Sequence, residues 1–172
     1  MSHGKSIISK IKDEKNKGVP SGPGGKYHFL QLEIQPCHFQ LKYKDVGKYG
    51  IVLDYITISR GTPIMDVDLM NRKMSRQSEQ VQKIVTYLLE DFKLIELDKM
   101  NKRAQLRSYP PHQKDDSKYY YEIVLDEGIQ AHFQRYLYSG EKRRYEKTDS
   151  QLTIETFERL VDDLVVILCN GE

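Results

Sequence analysis

From Lys26 onward the chain alternates between apolar and polar positions. Leu30, Leu32 and Ile34 fall on one side of a period-two pattern, and Phe39, Leu41 and Tyr43 repeat it against His38, Gln40 and Lys42. This is the pattern of half-buried β-strands. Gln35-Pro36 and the segment 45–48, with Gly47, are turn signals, so a third run, Ile51 to Ser59, completes an antiparallel meander. In that run both alternating sets are largely apolar, Ile51, Leu53 and Tyr55 against Val52, Ile56 and Ile58, which predicts the most buried of the three strands. With a turn centred on Gln35-Pro36, His38 faces Glu33 and His28 faces Tyr43.

The alternation breaks at Gly61 to Asn71. Ser75 then offers an N-cap, and Val81, Ile84, Val85, Leu88 and Phe92 share one face of an amphipathic helix over Ser75 to Asp91. Lys93 to Leu97 and Lys102 to Arg107 flank a tight turn at Asp98 to Asn101, and Pro110 to Lys118 reads as a polar loop. Tyr119 to Leu125 is a strand, Asp126-Glu127-Gly128 a turn, and Ile129, Ala131, Phe133 and Leu137 alternate with Gln130, His132, Gln134 and Tyr136. After Ser139-Gly140, Glu141 to Lys147 supplies a charged edge strand. Thr153 caps the final helix, Leu152 staples onto Phe157, and Phe157, Leu160, Val161, Leu164, Ile167 and Leu168 form its buried face.

These elements predict an α+β fold: a predominantly antiparallel sheet, open to strong curvature, of about seven or eight strands covered by two amphipathic helices. The order is three strands, a helix, four or five strands and a helix. A length of 172 residues suits one domain, placed at 26–172. Residues 1–25, with five lysines between Lys5 and Lys17 and then Val19-Pro20-Ser21-Gly22-Pro23-Gly24-Gly25, read as a flexible basic arm. A helix around Ile7 to Ile11 would be short and marginal on its own.

Charge and chemistry narrow the functional classes. Thr148 to Glu172 holds six acidic residues and one arginine within a total of +2, so the body is basic and the last helix acidic, an arrangement able to neutralise itself when the helix packs. No apolar run approaches a membrane span or a secretory leader, which points to a cytoplasmic protein without a membrane partner. Cys37 and Cys169 lack CxxC partners and read as small buried thiols rather than as a disulfide.

Cys37, His38 and His28 do not make a nucleophilic dyad, because strand neighbours point to opposite faces. Asp66 and Asp68, with Asp54 and His112, are the nearest approach to a metal set, but no calcium loop or His-x-x-x-His pair accompanies them, and they read as loop acids or helix caps. Asp162 and Asp163 read as the solvent side of the last helix. Gly22-Pro23-Gly24-Gly25 precedes a strand, unlike phosphate-binding loops. No catalytic residue, cofactor or metal is assigned, and the chain reads as a binding protein rather than an enzyme.

The feature richest in functional content is a set of tyrosines and arginines: Arg103, Arg107, Tyr119, Tyr121, Arg135, Tyr136, Tyr138, Arg143, Arg144 and Tyr145. Such residues serve both protein interfaces and base-stacking surfaces. The expectation is a small non-enzymatic adaptor, regulator or assembly subunit that presents them to another protein or to its own copy. A nucleic-acid-binding module is the second reading, and a metal-dependent enzyme around Asp66 and Asp68 the third.

Overall fold

The structure, a computed structural model, describes residues 2–16 and 27–170. Helix α1 (His3–Asn16) precedes strands β1 (His28–Ile34), β2 (Cys37–Val46) and β3 (Gly50–Arg60). Helix α2 (Val67–Ile84) leads to β4 (Asp91–Asp98), β5 (Arg103–Tyr109), the short β6 (His112–Lys114), β7 (Ser117–Asp126) and β8 (Gln130–Ser139). Strands β9 (Arg144–Thr148) and β10 (Ser150–Thr153) run into helix α3 (Ile154–Cys169). The fold is α+β, and among the described residues it comprises a ten-stranded antiparallel sheet and three helices.

The main strand order is β1-β2-β3-β8-β7-β5-β4. Strands β3 and β8 pair between Tyr55–Ser59 and Gln130–Gln134, then diverge. The gap is filled by β9 on β8 and β10 on β3, with only Asp149 between them. Tyr27 donates its hydroxyl to both carboxylate oxygens of Asp149, at 3.1 and 3.2 Å, and so holds this crossover ribbon against the start of β1.

The pleat sorts side chains onto two faces. Leu30, Phe39, Leu41, Ile56, Ile58, Phe133, Ile123, Leu125 and Leu106 lie in line across paired strands and form one core with the helices. Helix α3 contributes Phe157, Leu160, Val161, Leu164, Ile167 and Leu168 to that core. Thr153 caps it by accepting from the Thr156 amide at 3.0 Å, and Leu152 and Phe157 are both buried. The first hairpin has the expected register, His38 opposite Glu33 and His28 opposite Tyr43.

Several expectations are corrected. Residues 3–16 are a helix, not part of a flexible arm: Ile7, Ile8 and Ile11 are buried in the common core, and α1 lies along α3. The close approach needs Gly4, since a β-carbon there would sit 2.5 Å from the Glu158 backbone. Asp162 accepts from the Gly4 amide at 2.9 Å, next to the positive end of α1. A marginal helix is thus stabilised by tertiary burial. The remainder of that arm, 17–25, and Lys26 lie outside the described residues.

Helix α2 begins eight residues before the expected Ser75, because Asp66 is the cap that accepts from the Leu69 amide at 3.1 Å. It ends at Ile84. Val81, Val85, Leu88 and Phe92 do reach the core, but through a helix, a linker and a strand in succession. Two strands were unforeseen: β6, within the expected polar loop, and β10, which pairs with β3. Strand β3 is buried on one face only, with Val52, Tyr55 and Thr57 partly exposed, because the helices cover a single side of the sheet. Asp162 and Asp163 are not solvent-facing acids either: Asp163 accepts the Tyr87 hydroxyl at 2.7 Å.

Candidate functional site

The face of the sheet opposite the helices carries its own buried polar layer. Glu122 on β7 is only 8% exposed and accepts from Gln105 Nε2 at 2.9 Å and Arg107 Nε at 3.0 Å, both on β5. Both bonds converge on Glu122 Oε2, and an amide plus a guanidinium donor makes the buried carboxylate tolerable. Burial alone would lower the Arg107 pKa, but the Glu122 hydrogen bond and the surrounding groups outweigh it, so the guanidinium stays charged.

Nearby, between β3 and β8, Gln134 is 1% exposed and donates to Asp54 Oδ1 at 3.0 Å. Its Oε1 faces His132 Nε2 at 2.9 Å, and His132 Nδ1 faces Thr57 Oγ1 at 2.7 Å. Because the Gln134 amide nitrogen donates to Asp54, its oxygen accepts, which assigns the proton of a neutral His132 to Nε2. Thr57 then donates to Nδ1. Lys42 closes the chain, 3.5 Å from Asp54 Oδ2. The donors and acceptors satisfy one another, which makes this a rigid platform rather than a row of solvated side chains.

Beyond Arg107 the face becomes aromatic. The Arg107 guanidinium lies 4.7 Å from the Tyr120 ring centroid and 5.6 Å from that of Tyr145. Tyr120 stacks on Tyr136 at 5.7 Å and meets Tyr145 edge-on, while Tyr138 and Tyr145 are 4.9 Å apart. Burial raises the Tyr120 and Tyr136 hydroxyls above the ordinary phenol range, so both are neutral donors at physiological pH. Tyr120, Tyr138 and Tyr145, with Ile95, Arg107, Tyr109 and Lys118, line a cleft of about 290 Å³, and Tyr136 backs it through its stack on Tyr120. Ile95 reaches it because β4 bulges between Leu94 and Glu96.

A second cleft, of about 530 Å³, lies along the same strands and is lined by Glu96, Asp98, Asn101, Arg103, Gln105, Glu122, Val124 and Asp126. Acids outnumber its single arginine, and Arg103 is 3.5 Å from Asp126. Hydrogen bonds from Asn101, chiefly its backbone amide, hold Asp98 below the ordinary carboxylate range, so this carboxylate keeps its negative charge. Glu122 borders both clefts' chemistry, lining the second while anchoring Arg107 of the first.

The tyrosines and arginines singled out from sequence divide between the faces. Arg103, Arg107, Tyr136, Tyr138 and Tyr145 lie on the open face, but only Arg107, Tyr138 and Tyr145 line the tyrosine cleft, while Tyr136 stacks on Tyr120 and Arg103 sits in the acid cleft beside Asp126. Tyr119, Tyr121 and Arg135 turn to the helix side, where Arg135 lies about 5 Å from both rings and Tyr121 stacks on Phe133. Arg143 occupies the β8–β9 turn with φ 51°, and Arg144 pairs with Glu146 at 2.7 Å. Tyr120, not its two neighbours, belongs to the cleft. Glu122, Gln134, Thr57 and Ile95 were not foreseen, and Asp54, read from sequence only as a metal candidate, instead accepts from Gln134 and faces Lys42. Alternation could have put Tyr120 with Tyr136, but only with the β7–β8 register known.

Asp66 serves as a helix cap and Asp68 is exposed in the first turn of α2. Among the described residues no three His, Cys, Asp or Glu side chains converge to hold a metal. None of the described helices is long and apolar enough to cross a membrane. The chain matches no protein-family model, no curated protein and no solved structure.

Proposed function

We propose that this protein is a small non-enzymatic adaptor, regulator or assembly subunit that docks another protein on the open face of its sheet. The observation that carries this reading is the tyrosine-lined cleft of about 290 Å³ on a face that none of the described helices covers, with Tyr145 and Ile95 more than half exposed at its edge. Partly exposed tyrosine and arginine around a preformed concavity are the material of interface anchors. The acid-lined cleft alongside indicates the occupant: an extended segment that places an aromatic or large aliphatic side chain among the tyrosines and a lysine or arginine near Asp98 and Asp126.

The pairing of the arginines favours this reading over nucleic acid. Arg103, Arg107 and Arg144 each already face a carboxylate, so phosphate would have to displace those partners. The test is a titration of the labelled full chain, by NMR, with short peptides carrying an aromatic and a basic residue at varied spacing, beside acidic controls and a single-stranded oligonucleotide. The expected result is shifts confined to the tyrosine and acid clefts for aromatic–basic peptides, with affinity reduced about tenfold by Tyr145→Ala. Light scattering would show whether the occupant is a second copy of the chain. Binding only to the oligonucleotide, with steep loss in salt, would overturn the proposal.

A further inference from the structure

Cys37 and Cys169 are the chain's only cysteines, and the fold brings them together from opposite ends. Cys37 opens β2, opposite Arg60 of β3, and Cys169 is the last residue of α3. Arg60 Nη1 donates to the Leu168 carbonyl at 3.4 Å, which lays the last turn of α3 over the start of β2. Cys169 lies close enough to the Cys37 thiol to bias its protonation, and it packs against the same apolar cluster that buries Cys37. Cys37 is 3% exposed and Cys169 partly exposed. A cleft of about 340 Å³, lined by Pro36, Cys37, His38 and Arg60 among others, opens at this point.

We propose that Cys37 and Cys169 form a reversible oxidation site, at which a small hydroperoxide converts the two thiols into an intramolecular disulfide. Cys169, the more accessible, attacks first: its thiolate sulfur bonds to one peroxide oxygen, the O–O bond breaks, and the departing oxygen takes up a proton. With hydrogen peroxide this gives the Cys169 sulfenic acid and water. The Cys37 sulfur then attacks the oxidised sulfur, forming the S–S bond and expelling hydroxide, which leaves as water with the Cys37 proton. Two thiols lose two electrons and two protons, and the peroxide is reduced to two waters. A thiol reductant reverses the change by exchange.

Division of labour follows from the surroundings. Burial first, and then the neighbouring Cys169, push the Cys37 thiol up to about 12 against the opposing influence of Arg60. Cys37 therefore keeps its proton until a sulfenic acid is placed beside it, which suits a resolving rather than an attacking thiol. Partial exposure, which lets a peroxide reach the Cys169 sulfur, suits the attacking one. In a reducing compartment the resting form is the dithiol. The disulfide would tie the end of α3 to β2 across most of the chain, a closure that constrains the unfolded state strongly.

The experiment treats the reduced full-length protein with equimolar hydrogen peroxide and follows intact mass, free thiols and a non-reducing peptide map. The expected outcome is joint loss of both thiols, a mass lower by two hydrogens, a Cys37–Cys169 linked peptide, and a urea midpoint that rises and returns on reduction. In Cys37→Ser, Cys169 should stop at a sulfenic acid trapped by a dimedone probe. The wild-type measurement stands even if that variant folds poorly. Sulfinic acid at Cys169 with Cys37 still a thiol, or disulfide-linked dimers, would overturn the proposal.

Discussion

The two faces of this sheet bury side chains by different physics. On the helix-covered face Phe39, Leu41, Ile56, Ile58 and Phe133 are fully buried among apolar neighbours, and each interaction is non-directional. On the open face Glu122 and Gln134 are nearly as inaccessible, yet each is held by hydrogen bonds of defined geometry. The first kind of burial stabilises in proportion to area and tolerates swaps of similar volume. The second adds little net stability but penalises any lost partner, so it holds the tyrosine cleft in one shape.

Cutting into the covered face should have the largest effect. Phe133→Ala removes a fully buried ring at the centre of β8 and should cost about 3–5 kcal/mol in urea unfolding. A loss below about 1 kcal/mol would mean that the covered face is not held together by apolar burial. Next comes Glu122→Ala, which strips Arg107 and Gln105 of their acceptor. Fully buried pairs cost about 3–5 kcal/mol to break, and with the Arg107 side chain 31% exposed about 1–3 kcal/mol is expected. Glu122→Gln should recover part of it by keeping one acceptor oxygen.

Alkaline pH stresses both faces at once. Burial, followed by the bond to Asp163, raises the Tyr87 hydroxyl well above its ordinary 10.0, and burial does the same for Tyr120 and Tyr121. The folded state therefore prefers the neutral phenols. Their contribution is complete below about pH 10 and is lost as pH climbs through the higher folded values. Absorbance of tyrosinate should rise in two phases, the later one coinciding with loss of circular dichroism; a single early phase with the fold retained would contradict this burial. The smallest stability effect belongs to Tyr145→Ala, within about 0.5 kcal/mol of wild type, because the ring is 58% exposed. Weak folding consequence with strong loss of peptide binding would separate the role of the open face from that of the core.

Legibility from sequence followed the range of the forces involved. The β1–β2 hairpin, the Asp126-Glu127-Gly128 turn and the Thr153 cap could be read directly, since each depends on residues close together in the chain. The turn shows this most plainly, with Glu127 at φ 54° and Gly128 at φ 73°, a left-handed pair for which glycine is favoured. Helix α2 was misplaced because two caps, Asp66 and Ser75, competed locally. Its apolar spacing ran on through a linker into β4, so periodicity could not decide where the helix ended.

The sequence by itself determined the class of fold, the meander, the final amphipathic helix and the wealth of tyrosine and arginine in the second half. Only tertiary structure decided which of those residues share a face, because a strand's parity relative to its neighbour is set by long-range register: Tyr120 pairs with Tyr136, while Tyr121 meets Arg135 on the other side. Tertiary packing also docked α1, whose few apolar residues cannot hold a helix alone, and set Cys37 beside Cys169. Contacts between segments so distant in the chain carry no local signal. They form when apolar burial on the covered face overcomes the entropy of bringing those segments together.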